Sequence, residues 1–347
     1  MPIDSEKAAR PRPSAVVIIP CLNEEQHIQK TIAHFIAEPA SVVGKIIVVD
    51  GGSTDQTVQI VQQRAVDDER VVLVRNDRRI QSSGINRAVE LFGDLAPFII
   101  RIDAHADYPD NFCQTLLETQ KQTGAESVVV SMITKGLSCF QKAAAAAQNS
   151  KMGNGGAAHR GVADGRYVDH GHHALMSVGA FRSVGGYDEA FSHNEDAELD
   201  LRLVAAGYRI YLCGSATIIY YPRRELSSLF DQYRKFGRGR AMTTLKHRVR
   251  PKLRQLLPIL IGPVVALSSL FWLTPLLALP AAAWAGACLV YGAVLGIRAK
   301  DRCACAAGIA AMSMHLGFSV GFILQVAKQI AGRVSFRGTG PQLGTFG

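Results

Sequence analysis

Residues 98–109, Phe-Ile-Ile-Arg-Ile-Asp-Ala-His-Ala-Asp-Tyr-Pro, join an apolar β-branched run to two carboxylates flanking an imidazole: Asp103, His105 and Asp107. Pro109 stops the strand that such a run predicts. Oxygen and imidazole ligands at this spacing can hold a divalent cation, and a cation there would grip a diphosphate. An isolated D-x-H-x-D also suits a solvated turn, so its company decides the reading. Asp50 ends another apolar run, Lys45–Val49, just before Gly51-Gly52, where its carboxylate can accept a base N–H or a ribose hydroxyl. Asp196 follows Asn194-Glu195 at a predicted helix start and can take a proton from an incoming hydroxyl. A lone acid there would by default only stabilise the helix N-terminus. His170, His172 and His173 lack the i, i+4 spacing of a helical zinc pair and read as a hydrogen-bonding wall of a cleft.

The elements that must position these groups alternate. Apolar runs at Ala15–Ile19, Lys45–Val49, Val71–Val74, Phe98–Ile102 and Ser127–Met132 are separated by helical patterns: Asn23 to about Ile36, one opened by Ser53-x-x-Gln56, Ser82–Phe92 and Asn111–Lys121. Asn23 has the residue type of an N-cap and Ser53-x-x-Gln56 the form of a capping box. Strand and helix at this spacing predict an α/β fold with a mostly parallel sheet flanked by helices on both faces. In such a sheet ligands sit beyond the carboxyl ends of the strands, where Asp50 and Asp103 fall. A glycine-rich loop at 153–161 can approach a ligand by its backbone.

The net charge of +9 is local. Nine Lys/Arg and no acid lie between Arg234 and Arg254, whereas residues 1–233 carry 23 Lys/Arg against 28 Asp/Glu. Nucleic-acid binding predicts bases on the folded domain, so that class is excluded. A basic block directly before apolar sequence suits an anionic membrane face. Leu256–Leu273, Leu276–Ile297 and Ala304–Ala327 are uncharged and read as about three helices, each long enough to cross hydrocarbon about 30 Å thick. The polar start, Met1–Ser14, has no leader pattern and places the N-terminal part in the cytosol. Seven scattered cysteines predict reduced thiols.

Five separated stretches then occur in a familiar order: Ile18-Ile-Pro20-Cys-Leu-Asn23-Glu24-Glu25, Val48-Val-Asp50-Gly-Gly-Ser-Thr-Asp55-Gln-Thr57, the Asp103 strand end, Gly185-Gly-Tyr-Asp188-Glu189 and Asn194-Glu195-Asp196. Together they resemble the inverting family-two glycosyltransferases, of the Rossmann-like A-type nucleotide-diphospho-sugar fold, over roughly residues 14–250. Asp-Ala-His-Ala-Asp-Tyr-Pro and Gly237-Arg-Gly-Arg240 are similar to bacterial succinoglycan-type exopolysaccharide glucosyltransferases. The resemblance implies that Asp50 binds uracil, with Pro20, Asn23, Glu24 and Asp55 about the nucleoside. Asp103 and His105 take the metal-binding Asp-x-Asp positions for Mg²⁺ or Mn²⁺, and Asp196 is the catalytic base. Gln232-Tyr-Arg234-Lys235-Phe236 resembles the Gln-x-x-Arg-Trp segment that closes over the donor diphosphate and acceptor, with Lys235-Phe236 in place of Arg-Trp.

The expected organisation is a tail at 1–13, a catalytic domain at 14–233, a basic juxtamembrane segment at 234–255, a transmembrane region at 256–327 and a tail at 328–347. The implied enzyme faces the cytoplasm from the inner membrane. It moves a hexose, glucose from UDP-glucose, to a lipid-linked polyprenyl-diphosphate acceptor in exopolysaccharide synthesis. The rivals are a processive synthase of the same fold, for which three apolar runs are few, and a non-catalytic sugar-nucleotide-binding membrane protein. A nucleotidyltransferase would need a Gly-rich, basic loop after the first strand, which Pro20-Cys-Leu-Asn-Glu-Glu lacks.

Overall fold

The β-branched runs pair into one mixed sheet in a computed structural model that describes residues 12–157, 160, 164–251 and 253–336. The expected tails lie outside these residues except for 12–13 and 328–336, and the glycine-rich loop is described only to 157 and at 160. The strands are β1 (Ala15–Cys21), β2 (Val43–Asp50), β3 (Val71–Arg75), β4 (Phe98–Arg101), β5 (Ala106–Asp107), β6 (Ser127–Thr134), β7 (Arg166–Val168), β8 (His172–Ser177) and β9 (Ile210–Tyr220). Their order is β3-β2-β1-β4-β8-β6-β9-β5, with β7 on β9. The first four are mutually parallel. β8 runs antiparallel to both β4 and β6. Cys21 lies opposite Asp50 and Asp50 opposite Arg75, so the loops after β1, β2 and β3 leave the same edge, as does the loop after β4.

The helices of this unit are α1 (Ile28–Ile36), α2 (Thr57–Asp67), α3 (Gln81–Phe92) and α4 (Phe112–Thr123). Alternate residues of the inner strands face opposite layers. Val17, Ile19, Val48 and Ile100 pack with Ile28, Ile32, Phe35, Phe112 and Leu116. Val16, Ile18, Val49 and Ile99 pack with Ile85 and Val89. Burial on both faces is why these runs read as continuously apolar. Each sealed Ile or Phe contributes about 1.5–3 kcal/mol relative to exposure.

The chain forms two units: residues 12–133 with 164–220, and 134–157 with 221–336. The second unit begins with α5 (Cys139–Gln148), opened by a capping box between Ser138 and Gln141, and α6 (Lys151–Asn154). Two further helices, α7 (Val178–Ser183) and α8 (Glu195–Ala205), belong to the first unit and add Phe181, Leu199 and Leu203 to its second layer. The rest of the second unit is α9 (Leu226–His247), α10 (Leu253–Ser268), α11 (Leu279–Ala299) and α12 (Ala307–Phe336). Residues 134–157, inside the expected 14–233 domain, therefore belong with the C-terminal helices. Ala144 and Ala147 of α5 pack against Leu229, Ala307, Ala310, Ala311 and Met314.

Stretches Pro275–Ala299 and Cys303–Ala331 are long and apolar enough to cross a membrane. The run Leu256–Leu273 is not, which corrects the reading that each could span. Its helix α10 has 16 residues, includes Pro258 and Pro263, and reaches only ~24 Å. Most of the basic segment forms the second half of α9. A second correction concerns the thiols: Cys139 and Cys303 form a disulfide, while Cys21, Cys113, Cys213, Cys288 and Cys305 are free. His315 on α12 accepts from Trp284 Nε1 at Nδ1 (3.3 Å) and donates from Nε2 to the Met152 carbonyl (2.9 Å), so it faces protein.

Candidate active site

At the carboxyl edge of the parallel strands, the loops after β1 and β2 are laced together. Asn23, with φ of 56°, is not the N-cap that its residue type suggests: α1 starts later, at Ile28, and Asn23 Oδ1 accepts from Thr54 N at 2.8 Å. Asn23 N donates to Ser53 Oγ and Glu24 N to Thr57 Oγ1, at 2.9 and 2.8 Å. Ser53 does not cap α2 either. Its hydroxyl donates to Asp50 Oδ1 at 2.5 Å, and its amide and that of Gly52 also donate to Asp50. Asp50 is thus buried with its carboxylate holding the tight turn. Gly52, at φ of 89°, supplies the left-handed backbone this requires.

Asp55 joins the same lacing: it accepts from Thr57 N and Oγ1 at 3.0 and 2.6 Å and from Glu25 N at 3.2 Å. Desolvation pushes its carboxyl up, but the bonds from Thr57 outweigh this and hold it below the usual carboxylate range. Pro20 lies in β1 beside Val49. Burial, with Asp50 beside it, pushes the Cys21 thiol up to about 12, so it stays protonated and is no nucleophile.

β4 delivers the second cluster. Arg101, only 5% exposed, donates from Nη1 to Asp196 Oδ1, and its Nη2 lies 3.6 Å from both Asp103 Oδ1 and Glu195 Oε1. With its amide oxygen turned inward, Gln81 accepts from Arg101 Nε and Nη2 at 2.9 and 2.6 Å. One guanidinium therefore draws together acids from the β4 loop and from the start of α8. Asp103 Oδ2 faces His172 Nε2 at 3.3 Å, and the Tyr108 hydroxyl bonds both the amide and the carbonyl of Asp103. His105 Nδ1 meets Glu24 Oε1 at 2.8 Å, tying the β1 loop to the β4 loop.

Burial raises the Asp103 carboxyl, but Arg101 and His172 outweigh it and keep the group ionised. Asp196 behaves alike, with Arg101 and then His173 opposing burial. Glu195 goes the other way, because burial and the neighbouring Asp196 raise it more than Arg101 lowers it. Two adjacent acids pushed in opposite directions are the pattern of a functional pair.

Among the described residues no group of three or more His, Cys, Asp or Glu is arranged to hold a metal ion alone. Mg²⁺ does not require one, since it keeps waters and takes substrate phosphate oxygens besides one or two carboxylates. The ionised Asp103 fits that mode. Asp107, the other acid of the motif, accepts from Lys30 Nζ at 2.6 Å. Gln232, Arg234 and Lys235 lie on α9 in the second unit, where Arg234 Nε donates to Asp231 at 3.0 Å.

His173, read as part of a hydrogen-bonding wall, does bond the Tyr187 hydroxyl and Asp200, and Tyr187 OH reaches Asp196; sequence reading missed Arg101, Tyr187 and Asp200 as members of this network. A charge inside Phe98-Ile-Ile-Arg-Ile was a usable signal, because a buried arginine has to be paired. Nothing comparable marks Asp200, one of several acids on an amphipathic helix.

Two family models match the chain: glycosyl transferase family 2 over residues 16–185, and glycosyl transferase family group 2 over 138–323. Succinoglycan biosynthesis protein ExoA of Rhizobium meliloti (strain 1021) is 48% identical over 321 residues, 92% of this chain and 97% of that protein. A dolichyl N-acetyl-alpha-D-glucosaminyl phosphate 3-beta-D-2,3-diacetamido-2,3-dideoxy-beta-D-glucuronosyltransferase of Methanococcus voltae is 22% identical over 242 residues, 66% of this chain and 74% of that one. Among solved structures, the mannosyltransferase PcManGT of Pyrobaculum calidifontis, in complex with GDP-Man and Mn²⁺, shares the fold with a TM-score of 0.57 at 17% identity, covering 92% of this chain and 88% of its own. Sheet, strand-edge acids and a near full-length relative agree: the chain is an enzyme of glycosyltransferase family 2.

Proposed function

We propose that the protein is an inverting glycosyltransferase that moves a hexose, glucose from UDP-glucose, onto a lipid-linked polyprenyl-diphosphate oligosaccharide during synthesis of a succinoglycan-like exopolysaccharide. The observation that carries this reading is the convergence of Asp103 and Asp196 on Arg101 at the carboxyl edge of β4. In this reading Asp103 grips a diphosphate-bound cation and Asp196 deprotonates the incoming hydroxyl. The 48% identity to a succinoglycan biosynthesis protein over 92% of the chain supports the pathway.

Asp50, Pro20, Asn23, Glu24 and Asp55 form or brace the nucleoside side. Asp103 and His105 would hold the Mg²⁺ or Mn²⁺, which when bound neutralises charge on the departing diphosphate. Asp196 takes the acceptor's hydroxyl proton as the acceptor oxygen bonds to the sugar C1 and the C1–O bond to UDP breaks. Gln232, Arg234 and Lys235 are assigned to the diphosphate and acceptor by their motif alone. The two long apolar helices support attachment to a membrane, which this reading takes as the inner membrane with the catalytic domain in the cytoplasm. An amphiphilic acceptor gives the anchor its purpose, because confinement to the bilayer raises its effective concentration.

The test is a donor screen on membranes carrying the full chain, with radiolabelled UDP-glucose, UDP-galactose and GDP-mannose and counts followed into the lipid fraction. UDP-glucose label in a single-sugar product is expected. Label in a ladder of polymers, or none above membranes without the chain, would overturn the reading.

A further inference from the structure

The Gly185-Gly-Tyr-Asp188 turn places a tyrosine hydroxyl beside Asp196 that the chemistry above does not use. Tyr187 OH lies 3.3 Å from Asp196 Oδ1, 3.3 Å from Arg101 Nη1 and 2.6 Å from His173 Nδ1. His173 is fully buried on β8, and its Nε2 meets Asp200 Oδ1, equally buried, at 2.7 Å. Asp200 Oδ2 is held by His170 Nδ1 at 2.8 Å and by Gly171 N at 3.3 Å. The chain of contacts Asp200, His173, Tyr187, Asp196 thus runs from the interior to the base.

Burying a carboxylate and an imidazole costs several kcal/mol per ion and is often no better for stability than an apolar pair, so this network calls for another role. Its geometry resembles the logic by which an acid orients an imidazole and the imidazole orients the reacting group. Tyr187 is itself fixed at both ends. Its backbone exchanges two hydrogen bonds with the Asn86 amide, at 2.9 and 2.8 Å, and its ring packs edge-on to Phe181. All the buried groups converge on Oδ1 of Asp196. Its Oδ2 has no hydrogen-bond donor among the described residues, the nearest imidazole nitrogen being His172 Nδ1 at 3.9 Å.

We infer that Tyr187, backed by the His173–Asp200 pair, is a positioning residue that locks Asp196 through Oδ1 and offers Oδ2 to the acceptor hydroxyl. The inference rests on the proposed role of Asp196 as the base. The hydroxyl proton passes to Oδ2 while the sugar C1 is transferred and UDP leaves, so no additional reactant enters. His173 faces Asp200 and Asp196 on α8, Arg101 on β4 and the Tyr187 hydroxyl, with His172 next to it on β8. Its positive charge helps to keep Asp196 ionised.

The experiment compares Tyr187→Phe, His173→Gln and Asp196→Asn in membranes carrying the full chain, using the labelled UDP-sugar that the native chain turns over. Tyr187→Phe keeps the packed ring and loses only the hydroxyl. It is expected to lower kcat by about tenfold or more while the donor KM stays within about twofold. His173→Gln is expected to lower kcat and to move the acid limb of its pH profile upward, because Asp196 loses a group that favours its ionised form. Native kcat in both variants with a dead Asp196→Asn enzyme would overturn this inference alone. So would a loss confined to a raised donor KM, which marks a structural role. Retained transfer in Asp196→Asn would remove the base assignment, and this inference with it.

Discussion

Nη1 of Arg101 donates to Oδ1 of Asp196 in an interior where the arginine is 5% and the acid 15% exposed. The same guanidinium faces Asp103 and Glu195, so one positive charge holds together the start of α8 and the end of β4. Arg101→Met would leave these acids without their main counter-charge. A loss of roughly 3–5 kcal/mol is expected, the cost of breaking a buried ion pair from one side. Unfolding of the detergent-solubilised chain measures it, and an unchanged midpoint would show that the cluster is held by other means.

Stability should fall toward both acid and alkaline pH. Asp103, Asp196 and Asp200 have depressed carboxyls in the folded chain. Their contribution is full above the unfolded value of about 3.9 and is lost as pH falls through the lower folded values. His173 is raised, because its carboxylate partners outweigh burial. Its contribution is full below the unfolded value of about 6.5 and is lost as pH rises through the higher folded one. Glu195, also raised, costs stability once pH passes its unfolded value of about 4.3. His173→Gln should therefore flatten the alkaline loss. Unfolding midpoints from roughly pH 3 to 9 check this, and an alkaline slope identical to the native chain's would refute it.

Much of this arrangement was legible because the inner strands are buried on both faces and end in groups that burial would not tolerate. Asp50 and Asp103 stood at the ends of apolar runs, so the parallel order placed them on one edge. Asp196 could be placed at a helix start, but not against Arg101, since β4 and α8 are brought together by β8, whose antiparallel pairing no local pattern announces. The helix caps misled for a related reason. Asn23 and Ser53 have cap chemistry, yet the Asn23 side chain accepts from Thr54 N in the neighbouring loop, and Ser53 Oγ accepts from Asn23 N while donating to Asp50, so these contacts override the local signal. The length of α10 failed differently: apolar composition set where the run ends, while the turn after Ser268 sets where the helix does.

Metal dependence should separate Asp103 from His105. Asp103 is ionised and braced by Arg101 and His172, whereas His105 shares a bond with Glu24. EDTA is expected to abolish transfer, and Mg²⁺ or Mn²⁺ to restore it. Asp103→Asn should lower transfer by at least about a hundredfold, a scale set by the charge stabilisation that a bound cation supplies. His105→Ala should mainly raise the metal concentration needed for half-maximal rate. Full transfer in EDTA would remove the cation from the reaction, and equal effects of the two substitutions would remove the distinction between them.

The last expectation contrasts two glycines of the second unit. A Cβ at Gly321 of α12 would strike the backbone carbonyl of Arg234, and one at Gly317 would come within 2.5 Å of the Phe230 carbonyl, so α9 and α12 touch through their backbones. Gly237, in the Gly-Arg-Gly-Arg segment, meets Phe318 in the same way. Backbone cannot move aside as a side-chain tip can, so Gly321→Val should cost about 1–3 kcal/mol or more through overpacking. It should also lower transfer, because α9 carries Gln232, Arg234 and Lys235. Gly286 of α11 has nothing within 4 Å of the Cβ it would gain. Gly286→Ala should therefore leave transfer unchanged and, in a helix interior, add roughly 0.5–1 kcal/mol. Melting of both variants in detergent, alongside lipid-fraction counts, decides the matter. If Gly321→Val melts with the native chain, the close approach of α9 and α12 is not what holds this unit together.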